Sequence, residues 1–154
     1  MEIVWSAPVR TLAFAHGRAW GAGADLFAAC DLRIAHASAT FRLPGPRFGL
    51  VRGTGRLAKR VGSDRARGIL LDGETLDATQ ATADRLASEQ LNIDFLASIA
   101  TLRSPVVDRE TMLSIHLRMQ DAGGDGDLAA LVRSAARPGL AARIARYRAE
   151  LGAH

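Results

Sequence analysis

Residues 9–15 (VRTLAFA) form a short apolar run with one charge, bounded by Pro8 and by His16-Gly17. A run this short and this apolar predicts a strand buried on both faces, as in a parallel sheet. Glycines at 17, 21 and 23 punctuate the next segment, after which 24–29 (ADLFAA) reads as a helix. A strand, a glycine loop and a helix N-terminus in that order aim backbone N–H groups and the positive helix end at one point. Two short strands are expected over 32–35 and 39–43, separated by His36-Ala37-Ser38. Pro44-Gly45-Pro46 should then interrupt regular structure.

Downstream the period is helical. A short helix is expected over 57–61, and Ser63 is placed to cap a helix through Leu71 that Gly73 closes. Asp77 and Gln80 have the spacing of a capping box and open a helix to about Leu86. Apolar residues recur at helical spacing over 93–102 and 108–120, divided by Ser104-Pro105. Gly123-Gly124-Asp125-Gly126 makes a turn, and a last helix follows in two pieces, 128–137 and 140–151, split by Pro138-Gly139. No internal repeat or low-complexity tract interrupts this order. The pattern predicts one α/β unit, with a core over 1–90 and a helical region over 91–154.

Composition narrows the function classes. The 154 residues are 48% hydrophobic and 23% charged, with aromatics at only 5%, so alanine and branched aliphatics must fill the core. The net charge of +4 comes from arginine, Lys59 being the sole lysine. These arginines are scattered, at Arg10, Arg33, Arg52, Arg85 and Arg118 among others, which argues against a nucleic-acid groove. Guanidinium groups also suit an anionic, phosphorylated small molecule. Cys30 stands alone, which excludes an internal disulfide and a cysteine cluster and favours a reducing compartment. The start lacks a basic leader and no apolar run is long enough for a bilayer, so a cytoplasmic protein without a membrane partner is expected. His16, His36, His116 and His154 form no ligand pattern, and no metal is expected.

The loop 16–25 (HGRAWGAGAD) is where chemistry is expected, because amides at a helix start hold developing charge on an oxygen. On spacing alone a structural turn is as good a reading. The phosphate-loop lysine is absent, and Gly21-Ala22-Gly23 is not a dinucleotide fingerprint. Its continuation adds more. The stretch from Pro8 to Pro44 (PVRTLAFAHGRAWGAGADLFAACDLRIAHASATFRLP) resembles the crotonase, or enoyl-CoA hydratase/isomerase, signature. That signature has a strand ending in a polar residue and glycine, a G-G-G-x-E-L helix start, A-x-x-C-D-x-R-I-A, and A-x-F-x-x-P. Gly49-Leu50 through Gly62, Ser63 to Gly73 and the helix after Asp77 continue the likeness to about residue 90.

The resemblance implies a partial crotonase-like (ClpP/crotonase) β-β-α spiral core with a C-terminal helical oligomerisation region, acting as a homo-trimer or hexamer. It implies an acyl-CoA thioester as substrate, with coenzyme A as part of the substrate and no separate cofactor. By position the Ala22 amide becomes an oxyanion-hole donor, with Gly21, Gly23, Trp20, Pro44 and Gly45 in the substrate-binding region. The family's two hydratase glutamates fall on Asp25, still a carboxylate, and on Gly45, which has no acid or base. Isomerisation, needing one base, is therefore favoured over hydration. A non-catalytic acyl-CoA-binding or assembly subunit is the alternative.

Three residue roles stay open. Asp25 is either a catalytic carboxylate or a first-turn residue favouring the helix dipole. Trp20 and Phe41 contact an acyl chain or pack in the core, core packing being the simpler reading. The basic stretch Arg47, Arg52, Arg56, Lys59 and Arg60 reads by default as a solvated face, with a phosphate or carboxylate contact as the other reading. The family's second oxyanion donor lies upstream of the first strand, and only seven residues precede Pro8, so the resemblance implies an N-terminal truncation.

Overall fold

The structure, a computed structural model, describes residues 2–92, 94–100, 103–105, 109, 112–113, 116, 132, 135–136 and 138–152. A short helix α1 (Glu2–Trp5) precedes strands β1 (Leu12–Ala15) and β2 (Arg18–Trp20) and helix α2 (Ala22–Ala29). The same order recurs with β3 (Leu32–Ala35), β4 (Thr40–Arg42), a 3₁₀ turn (Gly45–Phe48) and α3 (Thr54–Val61). Then come α4 (Ser63–Asp72), β5 (Thr75–Asp77), α5 (Ala78–Ala83), β6 (Glu89–Gln90), α6 (Phe95–Ile99) and α7 (Leu140–Gly152).

The two ββα turns stack as successive layers of a spiral. β1 lies parallel to β3 with Leu12 opposite Leu32 and Ala15 opposite Ala35, while β2 lies parallel to β4 with Arg18 opposite Thr40 and Trp20 opposite Arg42. Among the described residues the result is two three-stranded sheets, ordered β1-β3-β6 and β2-β4-β5, with only the β4/β5 pair antiparallel. Between sheets and helices sits a core of Phe27, Phe41, Leu57, Ile69, Leu76 and Leu86, with the Phe27 and Phe41 rings 4.7 Å apart. Ala15, Ala28, Ala35, Ala39, Ala66, Ala78 and Ala81 fill the remaining space and let α2 lie close on the strands. This is the core that a sequence rich in alanine and poor in aromatics has to build. Phe41, fully enclosed, is a core residue.

Several local expectations need correction. The segment 16–23 is not all loop: Gly17, at φ 59°, turns the chain so sharply that β2 fits before α2 begins. β1 starts at Leu12 because the Thr11 amide is held by Asp31 Oδ2 at 2.8 Å. Pro44-Gly45-Pro46 does not break structure but opens a 3₁₀ turn, with Pro44 capping it and Pro46 in its first positions, where a missing N–H costs nothing. α3 starts three residues earlier than the 57–61 expected, and α4 is capped by Gly62 without a side-chain bond from Ser63. The capping box is present: Asp77 Oδ1 accepts the Gln80 N–H at 2.8 Å and Gln80 Oε1 accepts the Asp77 N–H at 3.0 Å. Its helix ends at Ala83, and Leu86 drops into the core instead. Helix α7 begins after Pro138-Gly139, as the break predicts. The helices expected over 108–120 and 128–137 lie mostly outside the described residues.

Candidate functional site at the start of α2

α2 is fixed at both ends and at its middle. At its N-terminus Gly21, with φ 55°, donates its N–H to the Arg42 carbonyl of β4 at 2.7 Å, and its own carbonyl accepts the Asp25 N–H at 3.1 Å. The amides of Ala22, Gly23 and Ala24 form the first turn and have no carbonyl a turn before them, so they face outward as donors. At the C-terminus Arg60 donates to the Ala28 and Cys30 carbonyls, both at 2.9 Å, and Arg33 adds a bond to the Cys30 carbonyl at 3.0 Å. Cations there complement the negative helix end. Burial pushes the Arg33 guanidinium down to about 10 and lowers that of Arg60. The same enclosure raises the Cys30 thiol, which leaves it a core residue and not a thiolate.

The middle of α2 carries Asp25, only 3% exposed. Arg56 of α3 grips it with two bonds, Nε to Oδ1 at 3.1 Å and Nη2 to Oδ2 at 3.2 Å, and Arg52 adds Nε to Oδ2 at 3.0 Å. Arg56 is itself buried, at 6% exposure, and reaches Glu2 Oε1 with Nη1 at 2.8 Å. A carboxylate removed from water needs such partners, since an unpaired buried charge costs several kcal/mol. Gly53 makes the approach possible. A Cβ there would lie 2.8 Å from Asp25 Cγ and closer still to Oδ1, and its φ of 67° is one that side chains rarely adopt.

A pocket of about 160 Å³ opens at this helix start. Gly21, Ala22 and Asp25 line it from α2, Pro44 and Gly45 from the 3₁₀ turn, and Arg52 from the approach to α3. Leu43, Pro46, Phe48 and Leu50 give it an apolar wall. α7 backs this wall, its Tyr147 ring 5.3 Å from that of Phe48. Five of the seven residues singled out from sequence thus meet in one cavity. Gly23 faces elsewhere, into a cavity of about 520 Å³ along β1 and the other side of α2. Trp20 lines neither. It stacks between the Arg18 and Arg42 guanidiniums, 5.0 and 5.6 Å from its ring, and donates Nε1–H to Thr40 Oγ1 at 3.2 Å. His16 is exposed beside Phe14, their rings 6.3 Å apart.

Arg52 and Arg56 were named in sequence only as part of a basic stretch, and for Arg56 the default solvated-face reading is wrong: it is buried against the Asp25 carboxylate. A signal existed. Gly53, Arg56, Leu57 and Arg60 recur at i, i+3, i+4 and i+7, which puts Arg56 and Arg60 on the same inward stripe as Leu57, a core residue; Arg52, before the helix, is not on it. Among the described residues no three His, Cys, Asp or Glu side chains gather as a metal site, and no helix is long and apolar enough to cross a membrane.

A sequence model of the Enoyl-CoA hydratase/isomerase family matches residues 2–98. A 2,3-dehydroadipyl-CoA hydratase of Escherichia coli is 31% identical over 112 residues, 71% of this chain and 44% of the relative. A mitochondrial Delta(3,5)-Delta(2,4)-dienoyl-CoA isomerase of Dictyostelium discoideum is 31% identical over 120 residues, 69% of this chain and 40% of the relative. The chain therefore spans less than half the length of these curated relatives. A solved structure from Bordetella parapertussis, assigned as an enoyl-CoA hydratase/isomerase, superposes with a TM-score of 0.87 at 41% identity, covering 96% of this chain and 63% of that one. With its spiral of ββα layers and its match through β1, α2 and the turn after β4, the chain belongs to the enoyl-CoA hydratase/isomerase family.

Proposed function

We propose that the pocket at the start of α2 binds the acyl end of an acyl-CoA thioester and that the Ala22 amide polarises its carbonyl. The observation that carries this reading is that Ala22, whose first-turn amide has no carbonyl a turn before it, lines one small cavity with an apolar wall. A backbone donor aimed at a thioester oxygen stabilises the enolate formed when the α-proton leaves, and a fixed donor in a water-poor pocket needs no reorganisation at that moment. The alanine methyl leaves the N–H intact.

Isomerisation is the reaction we favour. A base takes the α-proton of a 3-enoyl thioester, charge collects on the oxygen at Ala22, and a proton returns at the γ-carbon, giving the 2-enoyl isomer. Hydration by two carboxylates is disfavoured because Gly45 supplies none, and the first carbon of any side chain there would sit 3.1 Å from the Leu50 carbonyl. Among the described residues Asp25 is the single carboxylate lining the pocket. It is the candidate base, and its two arginine partners already occupy both of its oxygens. That grip favours the second reading, an acyl-CoA-binding subunit without turnover.

Incubating the protein with 2-enoyl- and 3-enoyl-CoA in deuterium oxide separates these. Deuterium at the α- and γ-carbons with little 3-hydroxyacyl product is the expected result. Binding without exchange supports the second reading, and hydration at or above about 10 s⁻¹ contradicts the first. Self-association is part of the proposal. Phe95, Leu96 and Ile99 of α6 are exposed, as is Val132, and sedimentation at micromolar concentration should show an oligomer.

A further inference from the structure

We infer that Arg52 selects acyl-CoA thioesters whose short acyl group ends in a carboxylate; this deepens, and rests on, the acyl-CoA reading of the same pocket. Arg52 lines the cavity with its side chain partly exposed. Its Nε bonds Asp25 Oδ2 at 3.0 Å, and its two terminal nitrogens have no partner among the described residues. Asp25 does not need those nitrogens, because Arg56 already holds both of its oxygens. The cluster holds two guanidiniums and two carboxylates, and Glu2, the second acid, bonds Arg56 alone. Arg56 thus bonds both acids, and Arg52 shares only Asp25 Oδ2.

The rest of the lining sharpens its effect. Leu43, Pro44, Pro46, Phe48 and Leu50 supply no carboxylate to neutralise the free edge of the guanidinium. A planar guanidinium with Nε fixed and both terminal N–H₂ groups open matches a carboxylate in two-point geometry better than any neutral group. The cavity's 160 Å³ lies below the usual range of about 300–1,000 Å³ for small-molecule sites, which limits the acyl group to a few carbons. With the thioester oxygen at the Ala22 amide, Arg52 is left as partner for a second anionic oxygen at the far end of such a chain. A phosphate of the coenzyme A moiety is the competing anion, and the test distinguishes it.

Glutaryl-CoA and pentanoyl-CoA carry five-carbon acyl groups that differ in a terminal carboxylate against a methyl. Calorimetric titration of the full chain with each, and with free coenzyme A, should show glutaryl-CoA favoured by roughly 10–100-fold over pentanoyl-CoA. Arg52→Gln should bring that ratio near one, Arg52→Lys should keep part of it, and Arg67→Gln, whose arginine pairs with exposed Asp64, should keep all of it. Circular dichroism of each variant reports whether the fold is retained. A wild-type ratio near one, with pentanoyl-CoA still binding, overturns the selectivity and leaves the acyl-CoA reading standing. A preference that survives Arg52→Gln overturns it as well. Equal weakening of all three ligands by Arg52→Gln assigns Arg52 to a coenzyme A phosphate and overturns the carboxylate assignment. Failure of every acyl-CoA to bind overturns both proposals together.

Discussion

The two faces of α2 carry cavities of opposite character. Along β1 lies the larger, about 520 Å³, walled by Leu12, Ala13, Phe14, Leu26 and Phe27 with Thr11 and His16 among the few polar contributors. At the helix start lies the smaller, about 160 Å³, which holds a first-turn amide, a buried carboxylate and an arginine with unused donors. Size points to the first and chemistry to the second. An apolar hollow beside the edge strand β1 offers area but nothing to orient a reacting oxygen, whereas a fixed amide and a fixed charge do. The arginines that grip α2 account for the difference, because Arg56, Arg52, Arg60 and Arg33 fix where that amide and that charge stand.

The most damaging way to break the contrast is to release Asp25. Arg56→Leu leaves a buried carboxylate held by Arg52 alone and should cost about 3–5 kcal/mol in urea denaturation. Asp25→Asn should also lower the midpoint, whereas a carboxylate with a purely catalytic role would change rate and leave stability alone. Next in size is Gly53→Ala, which places a methyl against the Asp25 carboxylate at a φ of 67° and should cost about 1–3 kcal/mol of strain. The larger cavity should be far more forgiving. Leu12→Met keeps volume there and should cost less than about 1.5 kcal/mol, with acyl-CoA affinity changed less than twofold, and a larger loss of affinity would move the site to β1.

The smallest effect lies away from both cavities. Arg65 bonds Glu74 with Nη1 and Nη2, both at 2.8 Å, and those bonds hold the Glu74 carboxyl below its ordinary value and raise Arg65. A carboxyl depressed on folding stabilises above its unfolded pKa of roughly 4.3 and stops doing so as pH falls through its folded value. The stability gap between the wild type and Glu74→Gln should therefore be widest near neutrality and close below about pH 4, as read by denaturation midpoints across that range.

Much of the layered core was legible because its signals are local. The apolar run 9–15, which contains β1 over Leu12–Ala15, the capping box of Asp77 and Gln80, and Gly73 as a helix stop each depend on neighbours in the chain. β2, β5 and β6 were not, because two- or three-residue strands exist only through partners set by the spiral: Arg18–Trp20 is held by β4, and Glu89–Gln90 by β3. The site divided in the same way. Gly21, Ala22, Asp25, Pro44 and Gly45 were found by motif, and the cavity joins them. Arg52 and Arg56 act across 27 and 31 residues of chain; the helical stripe shared with Leu57 marks Arg56 as inward, and nothing local marks Arg52. Trp20, expected near the substrate, instead binds two arginines of its own sheet.

The claim that the Ala22 amide, and not the larger cavity, receives the thioester is tested most directly by the vibration of the bound carbonyl. Ala22 is the first residue of α2, a position where proline is tolerated, so Ala22→Pro deletes the donor with little harm to the helix. Difference infrared spectra of a bound, isotopically edited enoyl thioester should show the carbonyl stretch shifted to lower frequency in the wild type and in Ala22→Gly. In Ala22→Pro the stretch should return toward its value in water, with turnover falling by about 10²–10³-fold. A shift that persists undiminished in Ala22→Pro would place the carbonyl elsewhere and contradict the account.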